Sequence, residues 1–415
     1  MLDFYFASDC RKRQLRRGPL AAHLDGLAAE LRRESYAMLT ARRILSVAGQ
    51  FSHYAGIAGI GIEALDEAFS DRFLADRLVT EGLFRDGRKA MQHLLRYLRK
   101  QNLIAQAVER ATPHPYESTL AAYDGYLDRV RGLAPSTRYD HAVNARQFLD
   151  WLGQRYGTRA LRRASAPDVL EYITDTLAHR RSRSARGHLC CEIRTFLRYL
   201  HTSGALQDDL TRAVPRVAHP RLASLPPRLA WPQVRMLIDS IDTSRPEGLR
   251  DKAIVLLLAT VGLRAHEVQG LELGDIAWRA GEIRLPRTKT RRERIVPLLQ
   301  EVGAALADYV LHGRPPLDVP QVMLRHMAPP GPITSSNGIV CIVRRHLRRA
   351  RISVPRGGAH LLRHSLATRM VNAGVPIKSV ADVLGHASIN TTAIYTKVDT
   401  ITLAAVALPF PGGAR

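Results

Sequence analysis

Two proline-rich stretches interrupt the chain and constrain how it can fold. The first, ATPHPYES, spans residues 111–118, and the second, VPRVAHPRLASLPPRLAWP, spans residues 214–232. Proline ends helices and favours extended connections, so prolines at this density mark linkers between folded units. At 415 residues the chain is also too long for one compact core. We therefore predict three domains, at residues 1–110, 113–210 and 222–410.

The charge of the chain indicates a polyanionic partner. Lysine and arginine number 61 against 38 aspartates and glutamates, which gives a net charge of +23 and a pI near 10.6. The arginines cluster in separate stretches, at residues 11–17, 180–187 and 344–351. A balance this basic is typical of nucleic-acid-binding proteins, and the guanidinium fork suits bidentate contacts with phosphates. We expect the partner to be a nucleic acid, bound along a long surface rather than by one basic tail.

Other bulk features argue against several classes of protein. The four cysteines show neither zinc-binding spacing nor a disulfide framework, and the adjacent Cys190 and Cys191 are expected on the wall of a helix. The longest apolar run, AIVLLLATVGL, is too short to cross a bilayer, and the N-terminus has no signal-peptide core. We therefore expect a cytoplasmic protein without membrane contact. Since no carboxylate cluster suggests a metal, we also expect no metal and no cofactor.

The first two segments are patterned as helices. In the first, apolar residues recur at helical spacing through residues 20–54 and 84–103. In the second, four helices are predicted, at residues 118–132, 135–157, 165–180 and 185–204. Ser136 is a predicted helix cap, Ser165 and Asp168 have the spacing of a capping box, and Gly204 ends the last helix. A small arginine-rich helical bundle of this kind is suited to gripping DNA.

The third segment mixes helices with a short hairpin. Residues 251–262 predict a buried helix that ends at Gly262, and residues 281–298 alternate apolar and polar side chains around a basic turn. Further helices are expected at residues 337–352, 358–374 and 376–386. The chain is therefore predicted to be mainly α with a small β-sheet.

Six polar residues of the third segment stand in recognisable local sequences. They are Arg264 in TVGLRAHEV, Lys289 in RTKTRRER, His360 and Arg363 in HLLRH, His386 in LGH, and Tyr395 nine residues later. Each alone has an ordinary structural explanation, such as packing for a tyrosine or a solvated turn for a lysine. Their order and spacing within matching local sequence are far more specific.

These residues resemble the catalytic set of the tyrosine recombinase (phage-integrase) family, which runs Arg, Lys, His-x-x-Arg, His or Trp, and Tyr. The context of Arg264 departs from the family's T-G-L-R-x-x-E by the insertion of Val261, and Glu267 stands at the expected place. Leu362 and His364 also match the family's H-x-L-R-H. The resemblance is close in the third segment, looser in the second, where it implies a core DNA-binding domain, and absent from the first hundred or so residues.

The resemblance implies a role for each of these side chains. Tyr395 is the expected nucleophile, because tyrosine can form a covalent intermediate with the DNA phosphate. The family's His-x-x-Arg histidine, here His360, is the candidate base or positioning group. Arg264 and Arg363 are expected to clamp the non-bridging phosphate oxygens as charge develops there.

The remaining members serve the same phosphate. His386 is expected to add a hydrogen bond to it, and Lys289 to protonate the leaving 5′-oxygen as a general acid. We expect Glu267 to be structural and to hold Arg264 or its loop by a charge-assisted hydrogen bond. Arg287, Arg291 and Arg292 are expected to be backbone grips rather than catalytic groups.

The function predicted is therefore site-specific DNA recombination of the integrase or transposase type, within a mobile genetic element. Two alternatives remain open at this point: relaxation of supercoils by a type IB topoisomerase-like enzyme, and DNA binding without catalysis. The resemblance implies double-stranded DNA as the partner, with a homotetramer on that DNA or assembly with related recombinase subunits. We expect residues 1–110 to form an additional helical module that binds DNA arms or serves assembly. Whether Tyr395 acts within its own subunit or in a neighbour is left open by the sequence.

Overall fold

A computed structural model describes most of the chain. It covers residues 1–81, 87–106, 114–179, 182–218, 227–285, 293–355, 357–385, 392 and 395, with residues 77–81 and 183 described by their backbone alone. These residues separate into two compact units, one comprising Val108–Ala223 and the other Met1–Ala107 together with Ser224–Arg415. The three domain boundaries drawn from the prolines remain a prediction.

The N-terminal segment is helical and encloses an apolar core of its own. Its helices are α1 (Leu2–Tyr5), α2 (Asp9–Leu15), α3 (Leu24–Arg33), α4 (Met38–Ile57), α5 (Glu67–Glu81) and α6 (Gly87–Lys100). The predicted helical run over residues 20–54 is broken at Ser35, whose φ of 59° is left-handed. Phe51 of α4 packs edge-on against Phe69 and Phe73 of α5, which makes α4 the centre of this core.

The middle segment contains the four predicted helices and one additional short helix. They are α7 (Glu117–Arg129), α8 (Pro135–Tyr156), α9 (Ala160–Arg163), α10 (Ala166–Ala178) and α11 (Arg183–Thr202). The capping box at α10 is confirmed, since Asp168 accepts hydrogen bonds from the backbone and side chain of Ser165. The predicted cap at Ser136 is wrong: Ala134 is the N-cap residue of α8, and Pro135 occupies its first turn. Proline lacks the N–H that a cap would satisfy and already has a helical φ.

The C-terminal segment confirms the prediction of helices around a small sheet. Its helices are α12 (Trp231–Asp239), α13 (Pro246–Leu256), α14 (Ala265–Gly270), α15 (Gln300–Asp308), α16 (Ser336–Arg349), α17 (Ala359–Asn372) and α18 (Ile377–Leu384). Its strands are β1 (Ile276–Ala277), β2 (Glu282–Leu285), β3 (Arg294–Pro297), β4 (Leu324–Arg325) and β5 (Gly331–Pro332). Strands β1, β2 and β3 form an antiparallel sheet in that order, and β4 pairs with β5. Cys190 and Cys191 lie on α11, the first buried and the second exposed.

Gly262 allows the start of α14 to pack closely against α17 and α18. Helix α13 continues into a buried π-helical turn, Leu257–Val261, and ends at Gly262 as predicted, with φ of 73°. A Cβ atom at this glycine would lie 2.9 Å from methyl groups of both Leu366 and Leu384. The left-handed φ together with this close approach favours glycine here, and the packing brings Arg264 beside α17 and α18.

A buried aspartate ties several elements of this segment together. Asp251 of α13 is 1% exposed and accepts hydrogen bonds from Arg250 at 2.7 and 2.9 Å, from His346 at 2.7 Å, and from Arg345. Arg250 also donates to the carbonyl of Leu324 in β4 at 2.9 Å. Burial alone would raise the pKa of Asp251, but the hydrogen bond from His346 and the two guanidinium groups hold it below its ordinary value. The carboxylate is therefore charged and joins α13, α16 and β4.

Replacement of Asp251 by alanine is expected to lower the free energy of unfolding by about 3–5 kcal/mol, because it leaves Arg250 buried without its counter-charge. Urea unfolding followed by tryptophan fluorescence measures this loss. Asp239→Ala is the control, since its side chain is 64% exposed and its ion pair with Arg235 is worth at most about 1 kcal/mol. Equal losses in the two variants would contradict the assignment.

Within the described residues, no helix is both long and apolar enough to cross a membrane.

Candidate active site

The C-terminal end of α18 gathers three arginine side chains. The backbone carbonyls of residues 383–385 each accept a hydrogen bond from one guanidinium group: from Arg294 at 2.6 Å, from Arg363, and from Arg264 at 2.7 Å, in chain order. The last carbonyls of a helix have no partner within the helix and carry its negative dipole end, so cationic donors are stabilised there. Gly385 ends the helix in the left-handed region, with φ of 61°. This turn exposes its carbonyl to Arg264.

One buried carboxylate holds two of these arginines. Glu267 is 4% exposed and accepts hydrogen bonds from the backbone N–H of Arg264 at 2.8 Å, from its guanidinium at 2.8 Å, and from Arg294 at 3.1 Å. Burial would raise the pKa of Glu267, but the Arg264 N–H and the guanidinium groups of Arg294 and Arg264 keep it below its ordinary value. The predicted charge-assisted hydrogen bond from Arg264 to Glu267 is confirmed.

The arginines carry more positive charge than their surroundings neutralise. Arg363 of α17 is 3% exposed, and burial followed by the nearby charge of Arg264 lowers its pKa to about 10. Burial likewise lowers the pKa of Arg294. Among the described residues, Glu267 is the carboxylate in ion-pair contact with this group. Three guanidinium groups against one carboxylate leave two positive charges, an arrangement that suits the non-bridging oxygens of a phosphate.

Tyr395 lies next to this cluster with its hydroxyl on a histidine. Its oxygen is 2.5 Å from Nδ1 of His364, and its backbone N–H donates to Thr392 at 2.9 Å. The tyrosine is 1% exposed, and burial raises its pKa to about 12 despite the opposing charge of Arg363. Burial, then His360 and Arg363, lower the pKa of His364 to about 4. At neutral pH both rings are therefore uncharged.

His360 is exposed and lies on the face of α17 that also carries Arg363 and His364. It lies four residues before His364, with ring centroids 6.3 Å apart, and three residues before Arg363. Side chains at these spacings lie on one helix face. The histidine is therefore accessible to a ligand that contacts the arginines.

The structure brings four of the six predicted site residues together: Arg264, His360, Arg363 and Tyr395. Lys289 and His386 lie outside the described residues. The strands that flank Lys289 are confirmed as an antiparallel hairpin, with Leu285 opposite Arg294. Within the part of the chain described, no group of three or more His, Cys, Asp or Glu side chains is placed to hold a metal ion.

Two residues of the cluster, Arg294 and His364, received no role from the sequence. Arg294 stands in a run of basic residues, but it shares a strand face with the buried Val296, and this period-two placement is a signal that it points inward. His364 follows Arg363 directly and lies one helical turn after His360. That spacing indicates a shared face but not a contact with a tyrosine 31 residues away.

Comparison with known proteins gives consistent results. The sequence profile described as "Phage integrase family" matches residues 227–401. The "Putative integrase/recombinase y4rF" of Sinorhizobium fredii is 41% identical over 415 residues, covering all of this chain and 97% of the relative. The tyrosine recombinase XerC of Herpetosiphon aurantiacus is 30% identical over 289 residues, covering 68% of this chain and 91% of the relative.

Solved structures share the fold at lower sequence identity. The XerH site-specific recombinase in a post-cleavage complex with a palindromic difH substrate superposes with a TM-score of 0.54 at 18% identity, over 81% of this chain and 93% of that one. The lambda integrase (75–356) dimer bound to a COC′ core site gives a TM-score of 0.50 at 16% identity, over 67% of this chain and 94% of that one. At these sequence identities, the two superpositions show a shared fold.

Glu267→Gln is expected to lower the free energy of unfolding at pH 7 by roughly 3–5 kcal/mol, since two largely buried guanidinium groups lose their counter-charge. The folded-state pKa of Glu267 lies below its ordinary 4.5, so its stabilisation is complete above that pH and is lost as the pH falls further. In thermal melts from pH 7 to pH 3, the difference in melting temperature between wild type and Glu267→Gln should therefore shrink below about pH 4.5.

Glu301→Gln serves as the matched control, because Glu301 makes an exposed ion pair with Arg235. Its melting temperature is expected to stay close to that of wild type at every pH. If the melting temperature of Glu267→Gln stayed below that of wild type by the same amount down to pH 3, the ion pairing of Glu267 with the arginines would be contradicted.

Proposed function

Because this chain belongs to the phage integrase family of tyrosine recombinases, we propose that it cuts and rejoins DNA through a covalent 3′-phosphotyrosyl intermediate. The observation that carries the proposal is the cluster itself. Three guanidinium groups with an excess of positive charge lie beside a tyrosine whose hydroxyl is already hydrogen-bonded to a histidine. A phosphate diester on the arginines would stand next to that hydroxyl.

The proposed reaction exchanges one phosphodiester bond for another. The oxygen of Tyr395 forms a bond to phosphorus, the bond from phosphorus to the 5′-oxygen breaks, and the phenolic proton passes to a base. Lys289 supplies a proton to the departing 5′-oxygen. Because the bond energy is kept in the phosphotyrosyl link, a 5′-hydroxyl can attack it in the reverse sense and seal a strand without another energy source.

Arg264 and Arg363 stabilise the charge that develops on the non-bridging oxygens. Removal of one such preorganised donor typically costs about two to three decades of rate. His360, exposed on the face of α17, and His386 complete the proposed phosphate contacts. The cationic side chains do here what a metal ion does in other phosphoryl-transfer enzymes, so we propose metal-independent chemistry.

The tyrosine described here is a resting nucleophile. Its pKa near 12 keeps it protonated at neutral pH, and its 1% exposure shields it from water. Attack requires both a proton acceptor and movement of the tyrosine or the DNA into contact. We propose that DNA binding brings the tyrosine and the phosphate into contact and makes transfer of the phenolic proton favourable, so that free protein does not react with water or with stray phosphates.

The other segments have proposed roles in holding DNA and subunits. In the middle segment, Arg159, Arg162 and Arg163 are exposed around the short helix α9, as a DNA-gripping module requires. We propose that residues 113–210 bind the core site and that residues 222–410 carry the chemistry. Residues 1–110 would bind DNA arms or serve assembly. A tetramer, or assembly with related recombinase subunits, would pair two such sites for exchange in a mobile element.

The direct test is trapping on a nicked suicide substrate. Wild type is expected to form a covalent protein–DNA adduct that survives denaturing electrophoresis, and Tyr395→Phe none. Tyr309→Phe is the matched control, because Tyr309 is buried in the same segment but lies against His326, and it should still form adduct. Formation of an adduct by Tyr395→Phe would overturn the assignment of Tyr395 as the nucleophile. Relaxation of supercoiled DNA without exchange between two sites would instead indicate a topoisomerase.

DNA affinity is expected to fall steeply with salt, because each phosphate contact releases counterions. For six to ten contacts, the loss between 50 and 200 mM salt is about 10³–10⁵-fold. Fluorescence anisotropy with a labelled duplex measures it. A response that is flat over this range would contradict an arginine-lined DNA surface.

A further inference from the structure

His364 makes the one contact to the Tyr395 hydroxyl recorded among the described residues. Nδ1 of the imidazole and the phenolic oxygen are 2.5 Å apart, the ring centroids are 5.7 Å apart, and the rings are inclined by 54°. Because the tyrosine is 1% exposed, bulk water has almost no access to this hydrogen bond. A phenol is a stronger acid than the N–H of a neutral imidazole, and an imidazole nitrogen is a stronger base than a phenolic oxygen. The hydrogen bond therefore runs from the tyrosine O–H to Nδ1, with the imidazole proton on Nε2.

The surroundings of His364 link it to the phosphate site. It follows Arg363, whose guanidinium bonds the carbonyls of Gly262 and Leu384, and it lies one turn after His360 on the same helix face. The titratable and charged groups recorded near its ring are thus Tyr395, His360 and Arg363. A ligand bound by Arg363 would stand next to both partners of the Tyr395–His364 hydrogen bond.

We propose that His364 is the proton acceptor for Tyr395, a role that rests on the function proposed above. As the tyrosine oxygen bonds to phosphorus, its proton passes to Nδ1 of His364, while the 5′-oxygen leaves and takes a proton from Lys289. On rejoining, the 5′-hydroxyl attacks phosphorus and returns its proton to Lys289. The departing tyrosine oxygen then recovers its proton from His364. This departs from the expectation drawn from the resemblance, in which His360 is the candidate base: here His360 contacts the phosphate and His364 takes the proton.

The charges explain why the transfer waits for DNA. In the free chain burial and the positive charge of Arg363 disfavour an imidazolium, and the pKa of His364 near 4 leaves the proton on the tyrosine. A phosphate on Arg363 would offset that positive charge and stabilise the imidazolium. Transfer concerted with formation of the oxygen–phosphorus bond also avoids a free phenolate. Nucleophile activation is thereby coupled to occupancy of the arginine cluster.

The test separates activation of the nucleophile from protonation of the leaving group. The rate of adduct formation is measured on two suicide substrates, one normal and one with sulfur as the 5′-bridging atom, which leaves without a proton. His364→Ala and His364→Asn are expected to be at least about 100-fold slower than wild type on both substrates. Lys289→Ala, in contrast, should be slow on the normal substrate and restored by sulfur.

His364→Asn decides between a base and a spacer, since its amide oxygen can accept the tyrosine hydrogen bond but cannot take up the proton. In wild type the rate should fall as the pH drops and His364 becomes protonated, and this acidic limb should be absent from His364→Asn. His326→Asn is the matched control, because His326 faces another buried tyrosine, Tyr309, and its rate should equal that of wild type. Melting temperature and DNA affinity are measured for each variant to exclude misfolding.

The possible outcomes are distinct. A wild-type rate in His364→Asn, or rescue of the His364 variants by the sulfur substrate, would overturn the role of His364 while leaving the function intact. Absence of any adduct at Tyr395 in wild type would overturn the function itself, and this inference with it. Independently of activity, ¹⁵N NMR of the free protein should show an unprotonated Nδ1 on His364 whose resonance shifts in Tyr395→Phe. A protonated Nδ1 would contradict the proposal.

Discussion

The buried carboxylate of Glu267 is the interaction on which the arrangement of the site depends. Two guanidinium groups, from Arg264 and Arg294, share it at 2.8 and 3.1 Å in a region that is largely shielded from water. Without this anion, the mutual repulsion of the arginines and the cost of burying them would favour turning both side chains into solvent. With it, both stay charged and fixed in direction. Each can then offer its remaining N–H groups to a ligand.

Helix α18 converts this pairing into a defined site. Its last carbonyls accept one hydrogen bond each from Arg264, Arg294 and Arg363, so residues from α17, β3 and the start of α14 are aligned on one helix end. Gly385 then turns the chain out of the helix, and the segment that follows carries His386 and Tyr395. In the proposed mechanism, the phosphate ligand His386 and the nucleophile Tyr395 both belong to this short segment. In this proposal, Tyr395 follows the phosphate ligand His386 by nine positions in the chain.

Sequence reasoning identified the local features whose causes are local. The capping box at Ser165, the helix stop at Gly262 and the hairpin around residues 281–298 each follow from a few neighbouring residues. The cap at Ser136 failed because Pro135 begins the helix by itself. Glu267 was expected to hold Arg264, since it stands three positions after it. Its second partner, Arg294, lies 27 residues further along, and no spacing rule connects the two.

The same limit explains why a contact as close as that between His364 and Tyr395 could not be predicted. The two residues are 31 positions apart in the sequence, and the chain that connects them includes α18. Burial, which sets the pKa values of both rings, is likewise a property of the assembled fold. The sequence indicated which residue types would do chemistry, whereas their protonation states at rest depend on what packs around them.

The assignment of Tyr395 as the nucleophile can be tested by mapping the residue that becomes linked to DNA. After trapping on a suicide substrate, digestion with nuclease and trypsin leaves a short nucleotide on one peptide, which tandem mass spectrometry can locate. We predict a 3′-phosphonucleotide on the peptide spanning residues 379–397, whose single tyrosine is Tyr395. Attachment to any other residue, or through a 5′-phosphate, would contradict it.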